Sequence, residues 1–290
     1  MSVSARLIGR LGYDALVREA RLSPKPGLVD AENDGSHSDM NLALLLKSAE
    51  ALAPFFQQFA ALGLRDAGLP PDGKLAAIRA DGIAAEKAMY AATNGVNTHK
   101  GAVFLLGVLC YCAGRRAADG NMITPEDLCL TAARVCRGVT SELGGGAGRA
   151  FARYGAKGAR GEAESGYPNV LAALAAFSAA AARGADEEDG WRIALLELIS
   201  RVEDANVLAR CGEEAALCLR ARAGELLLRF PAGGEALSAA IRGLDRQCRT
   251  WRASPGGSAD LLACAIFLQS LPTGPCESKT PAYSPDKTRI

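Results

Sequence analysis

The most constraining feature of this chain is a stripe of apolar residues at helical spacing. Leu42, Leu45, Leu46, Ala49, Leu52, Ala53, Phe56 and Phe59 recur at three- and four-residue steps. That period puts them along one side of an α-helix, with the polar residues opposite. Shorter stretches of the same pattern predict helices over about 4–22, 73–92, 101–118, 125–138, 168–183, 189–203, 212–229, 234–252 and 258–271, with ends uncertain by about 2–4 residues. Alanine, leucine and arginine dominate, β-branched runs are scarce, and neither a strand pattern nor a 20–50-residue repeat is present. The expected fold is therefore all-α: a single-domain multi-helix bundle over residues 1–271.

No Gly/Ser- or Pro-rich linker divides residues 1–271, so one continuous domain is expected despite the 290-residue length. From Thr273 to Ile290 the chain is polar and proline-punctuated, which predicts a disordered tail over 272–290. Residues 63–73 and 139–149 read as surface loops. The second is glycine-rich but lacks both the strand context of a dinucleotide fingerprint and a Walker lysine.

Thirty-three basic side chains face 32 acidic ones, a net charge of +1, which argues against a broad nucleic-acid footprint. Arg6 and Arg10 precede any long apolar run, and no apolar stretch approaches the roughly 20 residues that span a bilayer. The expectation is a cytoplasmic protein with no membrane partner. The nine cysteines fit that compartment. Cys129 and Cys136, like Cys211 and Cys218, are seven apart, near one helix face, and the only histidines are His37 and His99. Reduced thiols packed as small hydrophobes explain these spacings better than zinc ligands do.

The chemistry is expected where polar residues crowd between apolar helices, and five stretches qualify. In Ser23–Asp30, two prolines stiffen a turn carrying Lys25 and Asp30, and an acid-rich run with His37 and Asp39 follows; Ser38 or Asp39 is placed to cap the next helix. In Asn94–Gly101, Asn97 or Thr98 is placed to cap a helix. His99, Lys100 and the free N–H groups there make a setting for phosphate. Gly158–Pro168 holds Arg160, Glu162 and Glu164 between glycines. It is expected to be non-helical over part of its length, its carboxylates suiting Mg²⁺ beside a phosphate. Asp204–Arg210 offers oxygen ligands or a helix terminus. In Ser254–Asp260, Ser258 is expected to cap the last helix, with Gly256 and Gly257 letting a ligand approach the backbone. Together the five predict one polar pocket, formed by inter-helix loops at one end of the bundle and suited to a magnesium-phosphate ligand.

Taken in order, these stretches resemble the triphosphoribosyl-dephospho-CoA synthase family, whose members support citrate lyase and malonate decarboxylase. The matching segments are SPKPGLVD (Ser23–Asp30), SHSDM (Ser36–Met40), GVNTHKG (Gly95–Gly101), GARGEAESGYP (Gly158–Pro168), DANVLAR (Asp204–Arg210) and SPGGSADL (Ser254–Leu261). The chain departs from the family pattern at Ala205, usually threonine, and at Cys211, which interrupts a usual glycine pair. The resemblance implies transfer of the 5-triphosphoribosyl group of ATP to the 2′-hydroxyl of 3′-dephospho-CoA. Adenine leaves, and the product passes to a holo-acyl-carrier-protein synthase. Such a reaction needs a grip on an uncleaved triphosphate, a carboxylate facing the ribose carbon, a base and an acid. On that basis Lys25, Asn97, Thr98, Lys100, Arg160, Arg210, Gly256, Gly257 and Ser258 are expected to bind ATP or its phosphates. Glu162, Glu164 and Asp204 are expected to hold Mg²⁺, with Glu162 also a candidate for stabilising the ribose cation. Asp30 and Asp39 are candidate bases, and His37 and His99 candidate acids. Two rival readings use the same residues: an all-α Mg²⁺-dependent nucleotide or ADP-ribosyl hydrolase, and a non-enzymatic helical adaptor for an acyl carrier protein.

Overall fold

The computed structural model describes residues 3–118, 123–142 and 158–272. They form eleven α-helices: α1 (Ala5–Arg21), α2 (Leu42–Arg65), α3 (Ala76–Ala92), α4 (Lys100–Ala118), α5 (Pro125–Val135), α6 (Gly158–Glu164), α7 (Pro168–Ala182), α8 (Glu187–Arg201), α9 (Ala205–Arg229), α10 (Glu235–Trp251) and α11 (Gly256–Ser270). A short 3-10 turn, Val139–Glu142, follows α5, and no strand occurs among the described residues. The fold is all-α, as the apolar spacing predicts. The expected tail and most of the glycine-rich segment near 145 lie outside the described residues.

The helix starts are written in local chemistry. Ser4, Thr124 and Asp186 each accept an N–H three residues on, and Pro125 opens α5, where a missing N–H costs nothing. Asn41, rather than Ser38 or Asp39, caps α2 by accepting the Leu44 N–H. That helix also runs to Arg65, beyond its apolar stripe. As expected, Gly158–Pro168 is only partly helical: Gly158–Glu164 forms a short helix, stabilised by the packing of buried Gly161, Glu162 and Ala163, and the chain then turns through Tyr167, whose φ is 56°. α9 begins at Ala205, two turns earlier than its apolar pattern, and kinks at Gly212, where φ is 81°.

Two helices make the centre. α4 buries every residue from Leu105 to Arg115, and α11 buries every residue from Leu261 to Leu268. They pack on each other; α1, α2, α3 and α5 surround α4, while α7 and α8 cover α11. α2 and α4 approach so closely that a Cβ at Gly63 would lie 2.0 Å from the Tyr111 carbonyl, and one at Gly114 2.1 Å from that of Ala60. Glycine is required at both places. At that end of the pair, Arg115 donates to the Asp66 carbonyl and the Tyr111 hydroxyl donates to the Asp66 carboxylate, which satisfies a buried polar network. α4 is long and apolar enough to cross a membrane by length and composition alone, and 72% of its apolar window is buried inside the fold. That burial marks it as a core helix.

Cys110, Cys112, Cys129, Cys136, Cys248 and Cys264 are buried, and desolvation raises each thiol pKa. Cys211 and Cys218 depart from the expectation: the first is half-buried and the second exposed.

Candidate active site

The first inter-helix loop is braced before it meets anything else. Asp30 accepts the N–H groups of Lys25, Glu32 and Asn33. Ser36 Oγ then donates to the Ala253 carbonyl, and His37 Nε2 lies 2.7 Å from Ser254 Oγ. These bonds hold the loop against the segment that starts α11. The starts of α4, α6 and α9 complete a ring around a cavity of about 1360 Å³, which all five polar stretches line.

Lys25 is 1% exposed, and its Nζ donates both to the Glu19 carboxylate and to the Glu19 carbonyl at 2.7 Å. Its charge therefore reaches the cavity as a field from a fixed ion pair. Glu19 was not foreseen; the one sequence signal is an acid inside the buried face that holds Ala15, Leu16 and Ala20. His99, 4% exposed, places Nδ1 2.8 Å from Ser48 Oγ, to which Thr98 Oγ1 also donates, while Nε2 has no partner. Burial, reinforced by Lys25, lowers the His99 pKa to about 4. His37 is also shifted down, by burial and then by Arg210, against an upward pull from Asp39. Both imidazoles are thus held toward the neutral form. In the neutral form each imidazole offers one ring nitrogen as a donor and the other as an acceptor.

The carboxylates divide sharply. Glu162 accepts the Asn169 and Val170 N–H groups and the Asn169 side-chain amide, so it caps α7 from outside; burial raises its pKa. Asp204 caps two helices. One oxygen accepts from Asn206 and Val207 of α9, and the other from Gly257 and Ser258 of α11. Its pKa too is raised by burial, against those four bonds. Each charge sits where helix dipoles favour it. Glu164 faces the other way: it accepts from the Gly138 and Thr140 N–H groups and the Thr140 hydroxyl, and it does not line the cavity. Asp30, spent on its loop, does not line it either. The expected roles of Glu164 as metal ligand and Asp30 as base fail on this geometry. Asp39 does line the cavity, with its side chain 56% exposed.

Asp260, the acid of SPGGSADL, has no counterpart among the expected site residues. It lines the cavity, and its Oδ2 sits where a Cβ on Gly101 would be, 2.0 Å from it. Desolvation, with Glu19 and Asp204 nearby, pushes its carboxyl well above the usual range.

The cations ring the mouth. Lys100 pairs with Glu86 at 3.2 Å, Arg160 donates to the Glu142 carbonyl, and Arg210 is exposed; all three line the cavity. Asn97 caps α4 by accepting the Lys100 N–H. The N–H groups of Gly256, Gly257 and Ser258 are already taken, by the carbonyls of Ser254 and Pro255 and by Asp204, so this turn offers no empty anion cradle. Ser258 lies inside α11 and does not cap it; Asp204 does. Among the described residues no three His, Cys, Asp or Glu side chains converge to hold a metal ion.

The family model for CitG, ATP:dephospho-CoA triphosphoribosyl transferase, matches residues 5–278. The chain belongs to this family. A probable 2-(5''-triphosphoribosyl)-3'-dephosphocoenzyme-A synthase of Albidiferax ferrireducens is 39% identical over 272 residues, 91% of this chain and 90% of that protein. The 2-(5''-triphosphoribosyl)-3'-dephosphocoenzyme-A synthase of Haemophilus ducreyi is 40% identical over 288 residues, 91% and 88% of the two chains. A probable synthase of the same name from Citrobacter koseri is 42% identical over 274 residues, 90% and 89%. No solved structure matches the chain significantly. The family match spans all five polar stretches that the fold gathers around one cavity.

Proposed function

We propose that this chain is a triphosphoribosyl-dephospho-CoA synthase that moves the 5-triphosphoribosyl group of ATP to the 2′-hydroxyl of 3′-dephospho-CoA and releases adenine. The observation that carries the reading is the convergence of five family stretches on one charged cavity of about 1360 Å³. That volume exceeds the upper end of the roughly 300–1,000 Å³ usual for a single small ligand, which suits two nucleotide substrates held together.

The bond broken joins the ribose carbon to adenine, and the bond formed joins that carbon to the acceptor oxygen. The triphosphate is a handle, so it must be held and not activated. Lys100, Arg160 and Arg210 at the cavity mouth are the candidate handholds, each suited to charge-assisted bonds. Mg²⁺ fits this site as part of the nucleotide. The carboxylates of the described residues do not build a cage of their own, and Mg²⁺ usually keeps several waters and binds through one or two carboxylates plus substrate phosphates. Glu162 is the candidate to face charge developing on the ribose, and Asp39 at the lip the candidate to draw the acceptor proton. The acceptor proton leaves as adenine gains one, so no net proton is consumed. We further propose that the protein works in the cytoplasm and hands its product to a holo-acyl-carrier-protein synthase serving citrate lyase or malonate decarboxylase.

Protein incubated with Mg²⁺, ATP and 3′-dephospho-CoA is expected to release adenine and form an adduct that keeps all three ATP phosphates, resolved by mass spectrometry. Accumulation of ADP, or adenine release independent of the acceptor, would point to a hydrolase and overturn the reading. A paired substitution tests the division of the acids. Glu162→Gln is expected to lower turnover by about 10² or more, while Glu164→Gln stays near the parent. Equal losses in the two variants would contradict the geometry.

A further inference from the structure

Beside the main cavity lies a second pocket of about 260 Å³, between the end of α8, the kinked α9 and the start of α11. Val202, Glu203 and Asp204 are walls of both. Ile199, Val207, Leu208 and Leu219, each buried, give it an apolar side. One polar group stands out among them. Ser258 is 1% exposed, lines this pocket, and its hydroxyl has no hydrogen-bond partner. A buried hydroxyl left unmade costs free energy, so a ligand atom that accepts from it gains more than it would at a wet surface.

The pocket's charges decide what kind of ligand that is. Glu203, Asp204 and Glu213 line it, and Arg220, the one cation among the described residues that line it, has its Nε turned to the Ser200 carbonyl. An acid-rimmed apolar pocket repels phosphate. It accepts a neutral, flexible chain with amide groups. The main cavity, with its lysines and arginines, has the opposite character.

We propose that this pocket binds the pantetheine arm of the acceptor substrate, with the Ser258 hydroxyl donating to an amide carbonyl of the arm. The assignment rests on the proposed synthase reaction. The charged half of dephospho-CoA lies in the main cavity, and its neutral half crosses the Val202–Asp204 connection into the annex. Binding energy from this remote arm then positions the reacting hydroxyl.

Two substitutions test the subsite. Ala216→Phe fills the pocket from its α9 wall, where Ala216 is buried. Ser258→Ala removes the hydroxyl with little change of volume and keeps the test open if the larger side chain prevents folding. Ala216→Phe is expected to raise KM for dephospho-CoA about tenfold or more, and Ser258→Ala about threefold to tenfold, the range for one hydrogen bond. KM for ATP should hold in both. Calorimetric titration of 4′-phosphopantetheine should show binding to the parent and its loss in Ala216→Phe. An unchanged KM for dephospho-CoA in either folded variant overturns the subsite, as does a parallel rise for ATP. A parent that makes no triphosphoribosyl adduct, yet binds 4′-phosphopantetheine in an Ala216→Phe-sensitive way, would overturn the proposed reaction and leave the subsite standing.

Discussion

Lys25→Met is expected to destabilise the protein by about 3–5 kcal/mol, the range for breaking a buried ion pair from one side. Lys25 and Glu19 have side chains 1% and 6% exposed, with 2.7 Å between Nζ and the carboxylate. Met nearly matches the lysine stem in shape, so the loss is chiefly that of a carboxylate stranded without its cation. The Glu19 carbonyl loses a donor as well. Adding Glu19→Gln to Lys25→Met removes the stranded charge, and the double variant should recover most of the loss. Denaturant unfolding of the parent, the two single variants and the double variant gives the coupling directly. A double variant as unstable as Lys25→Met alone would show that the pair is not what holds this loop.

This pair also shows where sequence reasoning stops. The helices were legible because burial repeats with the helical period, and the cavity was legible because its walls come from short polar interruptions between apolar runs. Partnership was not legible. Lys25 looked like a phosphate ligand because it is a cation in a stiff turn, and nothing in SPKPGLVD shows that Glu19, six residues earlier, claims it. Asp30 looked like a base for the same reason, yet it is consumed by three N–H groups of its own loop. Glu162 and Glu164 are two residues apart on a helix, a step of about 200° around its axis, so one faces the cavity and the other the Val139–Glu142 turn. The double cap by Asp204 depends on α9 and α11 starting side by side, which brings Asp204 to Gly257, 53 residues on along the chain, and no local pattern encodes such a meeting.

His99 gives the second large effect, and its sign follows from its burial. The folded protein holds the imidazole pKa near 4, against an ordinary value of 6.5, first because it is desolvated and then because Lys25 is close. A histidine depressed in this way stabilises the fold while both states are neutral, above pH 6.5. That contribution falls as the pH drops from 6.5 toward 4, because the unfolded chain takes up a proton that the folded protein refuses. The difference of about 2.5 units corresponds to about 3 kcal/mol at 1.36 kcal/mol per unit, most of it lost by pH 4.5. His99→Asn carries a constant penalty for the space it leaves beside Ser48 and Met89, but it has nothing to titrate in this window. Unfolding measured from pH 7.5 to 4.5 should therefore show the parent losing stability faster than the variant, with the two curves converging toward the acid end. Identical slopes would mean that His99 is solvated or protonated in the folded state, and its role as a neutral donor or acceptor in the cavity would fall with that result. Lys25→Met tests the same coupling from the other side: removing the nearby cation should move the histidine titration upward, readable by NMR of the imidazole in whatever fraction remains folded.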